Sequence, residues 1–158
     1  MLRLALIGLA LTAALPTVVG ARVVARPVVP HQVQAQIAQR VPGLAYAPTR
    51  APLGFGYTSW LKTPSTVEVT LDNKAGWEIR FVAMRHTGSC RAGMEKSFQL
   101  DGNKVYWSHT GAEQQAWRCL TDAQGRQVRL VASSPQPPSL FANVGLGRVV
   151  ASGKRIAA

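Results

Sequence analysis

Between Phe55 and Ser134 the chain alternates apolar and polar residues with a period of two, in short runs cut by turn-forming residues. This pattern constrains the fold more than any other feature. Successive side chains of a strand point to opposite faces, so a half-buried strand reads as strict alternation. "TVEVTL" sets Val67, Val69 and Leu71 against Glu68 and Thr70. After the turn "DNKAG", "WEIRFVAM" sets Trp77, Ile79 and Phe81 against Glu78 and Arg80. "FGYTSWL" precedes this pair as a further strand. "KSFQL" and "KVYWSH" flank Asp101-Gly102-Asn103, a strong hairpin signal because glycine accepts positive φ. "QAWRCL" and "RQVRLVAS" flank "TDAQG" in the same way. Short turns between consecutive strands predict an antiparallel meander of about six strands.

A helix is expected at each end of that sheet. In "HQVQAQIAQRV" the residues Val33, Ile37 and Val41 recur at helical spacing, and Pro42-Gly43 stops the run. Near the C-terminus, Leu140, Val144 and Val149 suggest a broken helix begun at Pro138-Ser139, weakened by Gly145 and Gly147. The sum is an α+β fold, one domain over residues 31–158 with no internal repeat. Residues 22–30, "RVVARPVVP", read as a tether.

The N-terminal residues 1–21 read as an export signal. Arg3 supplies a positive start, Leu4 to Leu15 an apolar core, Pro16 a break, and Val19 and Ala21 the small residues before a cleavage point at Arg22. A retained signal anchor is the alternative, since the low-charge run approaches the roughly 20 residues that span a bilayer. Either way the chain is expected outside the cytoplasm. The whole sequence has 18 basic and 7 acidic residues, a net charge of +11. For an exported protein the available polyanions are lipid headgroups and wall polymers rather than nucleic acid.

Cys90 and Cys119 are the two cysteines of the chain. In an oxidising compartment such a pair is most simply one disulfide, here closing a loop worth about 3.5 kcal/mol in the chain-entropy model. The sharper alternative makes Cys90 a nucleophile, with His86 and Arg91 to lower its pKa. "HTGSCR" bears some likeness to the cysteine motif of exported L,D-transpeptidases, which cross-link peptidoglycan. Those enzymes carry Ser-His-Gly-Cys, whereas here Ser89 meets Cys90 directly. His31, His86, His109 and the cysteines lack the paired spacing of a zinc site. No G-x-S-x-G, H-E-x-x-H or G-x-x-x-x-G-K motif occurs, and no cofactor or metal is expected.

If Ile79 and Phe81 face the core, Arg80 points outward, and Val128 and Leu130 imply the same for Arg129. Taking Trp117 and Cys119 as core-facing puts Arg118 outward as well. Arg80, Arg118 and Arg129, with Tyr106 beside them, then form a basic outer face. It could hold an anionic ligand, or be the ordinary wet side of a sheet.

"PGLAYAPTRAPLGFGYTSW" contains the pattern Y-x-P-T-x-x-P-x-G-(aromatic)-x-Y, and "AWRCLTDAQGRQVRLVASS" closes with a hairpin before a Leu/Val-containing segment. In both pieces the chain resembles the exported bacterial DUF4367 family, over roughly Pro42 to Val150. The resemblance implies an envelope location and carries over no catalytic residue. The resulting expectation is a secreted or membrane-tethered envelope domain that binds without catalysis. Its partner would be an anionic envelope polymer, lipid headgroups or a membrane protein. A peptidoglycan-modifying enzyme using Cys90 and a regulatory module read by a membrane partner are the alternatives. Mature protein from the native host is expected to begin at or within a few residues of Arg22. N-terminal sequencing checks this, and Met1 retained in the membrane fraction would establish the anchor instead.

Overall fold

The computed structural model describes residues 27–135 and 143–157, with side chains in the second stretch from Gly145 onward. The export segment, most of the tether, and the expected helix start at Pro138-Ser139 lie outside the described residues, as does Leu140. Among the described residues no helix is long and apolar enough to cross a membrane.

The elements in chain order are α1 (His31–Arg40), β1 (Tyr46–Pro48), β2 (Gly56–Lys62), β3 (Thr66–Asp72), β4 (Glu78–Arg85), β5 (Lys96–Leu100), β6 (Asn103–Thr110), β7 (Glu113–Thr121), β8 (Gln127–Ser134), α2 (Asn143–Ala151) and β9 (Gly153–Arg155). Seven strands form one antiparallel sheet in the order β2-β3-β4-β8-β7-β6-β5. β1 and β9 form a separate antiparallel pair. The alternating runs are strands as expected, and the "DG" turn is a tight reversal with positive φ at both Asp101 and Gly102.

The sheet is not a simple meander. β4 pairs with β8, not with β5, so β2-β3-β4 and β5-β6-β7-β8 are two meandering arms joined edge to edge. The hairpin turns determine the neighbours within each arm, but residues 86–95 are long enough to free β5 from β4. Burial then decides the middle. "FVAM" in β4 and "RLVA" in β8 carry apolar residues on both faces, and such strands are most stable at the centre of a sheet.

Registers define the two faces. Val69, Phe81, Ala132, Ala116 and Trp107 run in one row across five strands, and Val67, Ala83, Leu130 and Arg118 in the next. This inner face is covered by the helices, whose Ile37, Leu146, Val149 and Val150 join the same buried cluster. The stripe expected on α1 is present, with Ile37 buried and Val33 and Val41 packed at its margins. Val29, read from sequence as tether, is fully buried, and its carbonyl accepts a 2.7 Å hydrogen bond from Gln34 Nε2.

α2 lies close on the sheet, and its glycines divide by position. A Cβ on Gly147 would sit 2.7 Å from Phe98 Cε2 and 2.8 Å from Leu100 Cδ1, whereas one on Gly145 would meet nothing within 4 Å. Gly147 is thus a contact glycine, the reason a helix of modest propensity carries it. The helix passes directly into β9 through Ser152. The Ser152 hydroxyl donates to Val149 O (2.8 Å) and accepts from the amides of Thr49 (3.2 Å) and Arg50 (3.0 Å). Gly145→Ala is expected to stabilise by up to about 1 kcal/mol through helix propensity. Gly147→Ala is expected to destabilise by about 1–3 kcal/mol through overpacking. Urea unfolding of the two variants checks the opposite signs.

Candidate anion-binding site

The outer face of the sheet carries its own small core. Val82, Val131, Trp117 and Tyr106 form one row across β4, β8, β7 and β6, and Met84, Arg129 and Cys119 form the next. Residues 86–95 cross above them, held by the Cys90–Cys119 disulfide. Trp117 is fully buried, stacks with Tyr106 at 6.0 Å between ring centroids, and donates from Nε1 to Cys90 O at 2.7 Å. Among the described residues no free cysteine remains. A sulfur in a disulfide is not a nucleophile, so Cys90 could act as one only after the bridge opens. Nor does any group of His, Cys, Asp or Glu suited to a metal ion occur among the described residues.

The three arginines expected on one face do not share it. Arg80 and Arg129 are on the outer face, but Arg118 stands in the inner row beside Leu130. In "AWRCL" the side chains alternate as expected, with the polarity inverted: Trp117 and Cys119 face outward and Arg118 inward. Trp117 is buried beneath the crossing loop and Cys119 is bonded to it, which leaves Arg118 on the helix side. There its guanidinium donates to Asn103 Oδ1 and to Gly153 O, bolting β7 to β6 and β9. Burial pulls the Arg118 pKa below its usual value, with Tyr46 opposing.

Arg80 and Arg129 do not combine either. They are four strand positions apart in the β4–β8 register, about 13 Å at 3.3 Å per residue. Val82 and Val131 fill the interval. Arg80 Nε lies 3.1 Å from Glu78 Oε1, which neutralises it locally. Arg129 stacks on Trp117 with Cζ 4.4 Å from the ring centroid, and burial lowers its pKa.

The basic constellation that does assemble is at one corner of the inner face, from parts of the chain far apart in sequence. Asp122, at the end of β7, has a side chain only 3 % exposed. Its Oδ1 accepts from the amides of Gln124 and Arg126, both at 2.9 Å. Its Oδ2 accepts from Arg85 Nη1 at 2.5 Å and Arg126 Nε at 3.0 Å. Burial alone would raise the Asp122 pKa, but the Arg85 hydrogen bond and those from the Arg126 backbone and side chain hold it well below the usual carboxylate range. Gly43 packs against this pair of guanidiniums. A Cβ there would lie 2.5 Å from Arg85 Nη2 and 3.6 Å from Arg126 Nη2.

Tyr46 is the centre of the corner. It is 5 % exposed and pairs in register with Arg155. Burial raises its pKa, Arg155 pulls it down, Asp122 pushes it up, and Arg85 and Arg118 pull it down in turn. Arg85, Arg118, Arg126 and Arg155 thus gather around Asp122 and Tyr46, leaving three positive charges in excess. Sequence reasoning missed this site. "TDAQG" reads only as a turn and Pro42-Gly43 only as a helix stop, and nothing in the primary pattern links either to Arg155.

No protein-family model matches the chain, and no curated protein matches it. Two solved structures share part of its shape. The crystal structure of MucB in complex with MucA(peri) aligns with a TM-score of 0.47 at 16% identity, over 72% of this chain and 37% of that one. The MucA/MucB complex of Pseudomonas aeruginosa aligns with a TM-score of 0.46 at 16% identity, over 72% of this chain and 35% of that one. The chain thus spans about a third of the length of the solved chains it matches.

The Asp122 network sets a pH dependence. A carboxylate whose folded pKa is depressed stabilises the fold fully above its unfolded value, and that contribution is lost as pH falls through the folded one. Stability is therefore expected to decline from about pH 4 downward. Asp122→Asn should flatten that decline while lowering stability at neutral pH, as thermal melts across pH 2–7 would show.

Proposed function

We propose that this chain is an extracytoplasmic binding module of the cell envelope that holds an anionic partner without making or breaking bonds in it. One observation carries the reading: four arginines converge on a corner whose single carboxylate, Asp122, is already shared by two of them. Both Asp122 oxygens are committed within the fold. The excess charge at Arg155 and Arg118 is therefore free to act on something outside the chain. The disulfide supports the compartment, since such bridges persist in oxidising surroundings. The expected export segment points the same way. Envelope polyanions are the ligands such a field selects, because exported proteins meet them and not nucleic acid.

The site moves, on this reading, from the sheet's outer face to the inner corner. Arg80 and Arg129 contribute charge there only at a distance, and Arg118 contributes through its field because both its Nη atoms are engaged. Arg155 and Arg126 are the exposed members, and Arg155, which Asp122 does not hold, is the one to change. Near an anionic surface each basic residue contributes about 1 kcal/mol, so reversing one charge costs about 2 kcal/mol, or roughly thirtyfold in affinity. Arg155→Glu should weaken binding to phosphatidylglycerol vesicles or to poly-glutamate by about that factor. Arg91→Glu, the same reversal on the exposed crossing loop, should cost severalfold less. Co-sedimentation at several salt concentrations measures both. Equal losses from the two reversals would mean that net charge alone drives binding and that the corner is not a site.

A further inference from the structure

The arginine corner adjoins a small apolar bowl. It has a volume of about 370 Å³ and is lined by Ala38 of α1, Pro42, Ala45, Arg155, Ile156 and Ala157. Every lining side chain except Arg155 is apolar. Arg155 belongs to both, lining the bowl and pairing in register with Tyr46 at the centre of the guanidinium cluster, and Pro42 precedes Gly43, where an added Cβ would lie 2.5 Å from Arg85 Nη2. The result is an apolar floor with a cationic rim. Resting on the binding reading above, we infer that the partner is an acidic protein segment that seats one apolar side chain in this bowl and sets flanking carboxylates against Arg155 and its neighbours.

Shape and charge together select that occupant. A free phosphate or a polyanion of carboxylates alone would satisfy the rim and leave the apolar floor in contact with water. An acyl chain would satisfy the floor but needs an enclosed slot, and this depression is open and at the bottom of the 300–1,000 Å³ range of small-ligand sites. One leucine-sized or phenylalanine-sized side chain fits, which is the usual anchor of a peptide in a shallow surface pocket. The negative charge has to come from the partner, because Asp122 has no oxygen to spare. Arg155 supplies a planar fork that binds carboxylates bidentately. A second copy of this chain is a poor occupant, since like-charged surfaces would meet.

The test uses the mature protein and three fluorescein-labelled nine-residue peptides, read by anisotropy. One alternates glutamate and leucine, one replaces each leucine by serine, and one replaces each glutamate by lysine. Phosphatidylglycerol vesicles are run in parallel. The glutamate-leucine peptide is expected to bind at least tenfold more tightly than the serine version, and the lysine version not at all. Ala157→Trp, which fills the bowl from its exposed lip, should weaken the glutamate-leucine peptide at least tenfold and leave the serine peptide within twofold. Arg155→Gln should weaken both acidic peptides. If the leucine and serine peptides bind alike, or if Ala157→Trp changes neither, the bowl is not an anchor site and the inference fails, while general anion binding at the corner stands. Loss of vesicle binding in Ala157→Trp without loss of peptide binding would assign the bowl to a membrane surface and overturn it too. Failure of every anionic probe, vesicles included, would remove the underlying binding reading as well.

Discussion

The pairing of β4 with β8 is the constraint from which the rest of this architecture follows. Once β8 takes the place beside β4, β5 has to start at the far edge of the sheet, and residues 86–95 must travel there across the outer face. A crossing segment buries whatever it covers. It also brings its own backbone polar groups, which need partners when shielded from water. Trp117 answers both demands, filling the space beneath the loop and donating its indole N–H to the Cys90 carbonyl. The disulfide then ties the crossing to β7 and removes loop entropy from the unfolded chain, worth about 3.5 kcal/mol in the chain-entropy model. What looks in sequence like a reactive thiol in a basic setting is the fastening of a cover.

The same crossing explains why the strands could be read from the sequence and the faces of one strand could not. Periodicity reports which residues share a face and never which face is the core. For β3, β4 and β8 the two coincide with the simple assumption that the apolar set faces the helices, and Val69, Phe81 and Leu130 are indeed inside. In β7 both faces are buried, one by α2 and one by the loop, so apolar content cannot discriminate between them. Trp117 goes under the loop, Ala116 goes under the helix, and Arg118 follows Ala116. The pairing order was equally hidden. Turn chemistry specifies neighbours across two to five residues, but past a longer connection only the relative burial of whole strands decides. β1 and β9 were illegible for a different reason: three residues are too few to show a period.

A half-buried guanidinium is costly unless its donors and its charge are both accommodated. Arg118 has acceptors in Asn103 and Gly153 but no carboxylate among its hydrogen-bond partners, and its lowered pKa is the signature of that residual cost. Gly153 in turn cannot change easily, because a Cβ there would meet Leu130 Cδ1 at 2.8 Å and Phe81 Cζ at 2.9 Å. The position of β9, and with it Arg155, is therefore set by packing at Gly153 and by the Arg118 bolt together. The backbone that presents Arg155 is thus fixed in place before any partner arrives, which limits the ordering entropy lost to that of the side chain itself.

Charge excess of this kind links binding to stability. Arg85, Arg118, Arg126 and Arg155 repel one another around a single shared carboxylate, and that repulsion is present in the folded chain and largely absent when it unfolds. An anion placed at the corner relieves it, so on the proposed reading binding and folding are coupled through the same charges. The relief is greatest where solvent screens least, at the half-buried Arg118, and smallest at the exposed guanidinium of Arg155. Arg155 would then govern how a partner arrives, through long-range attraction that salt weakens over about 8–10 Å. Arg118 would govern how much the folded state gains once the partner is seated, through a field that its partial burial shields from salt. The division follows from burial alone: the same charge acts on encounter when it is exposed and on the bound state when it is half-buried.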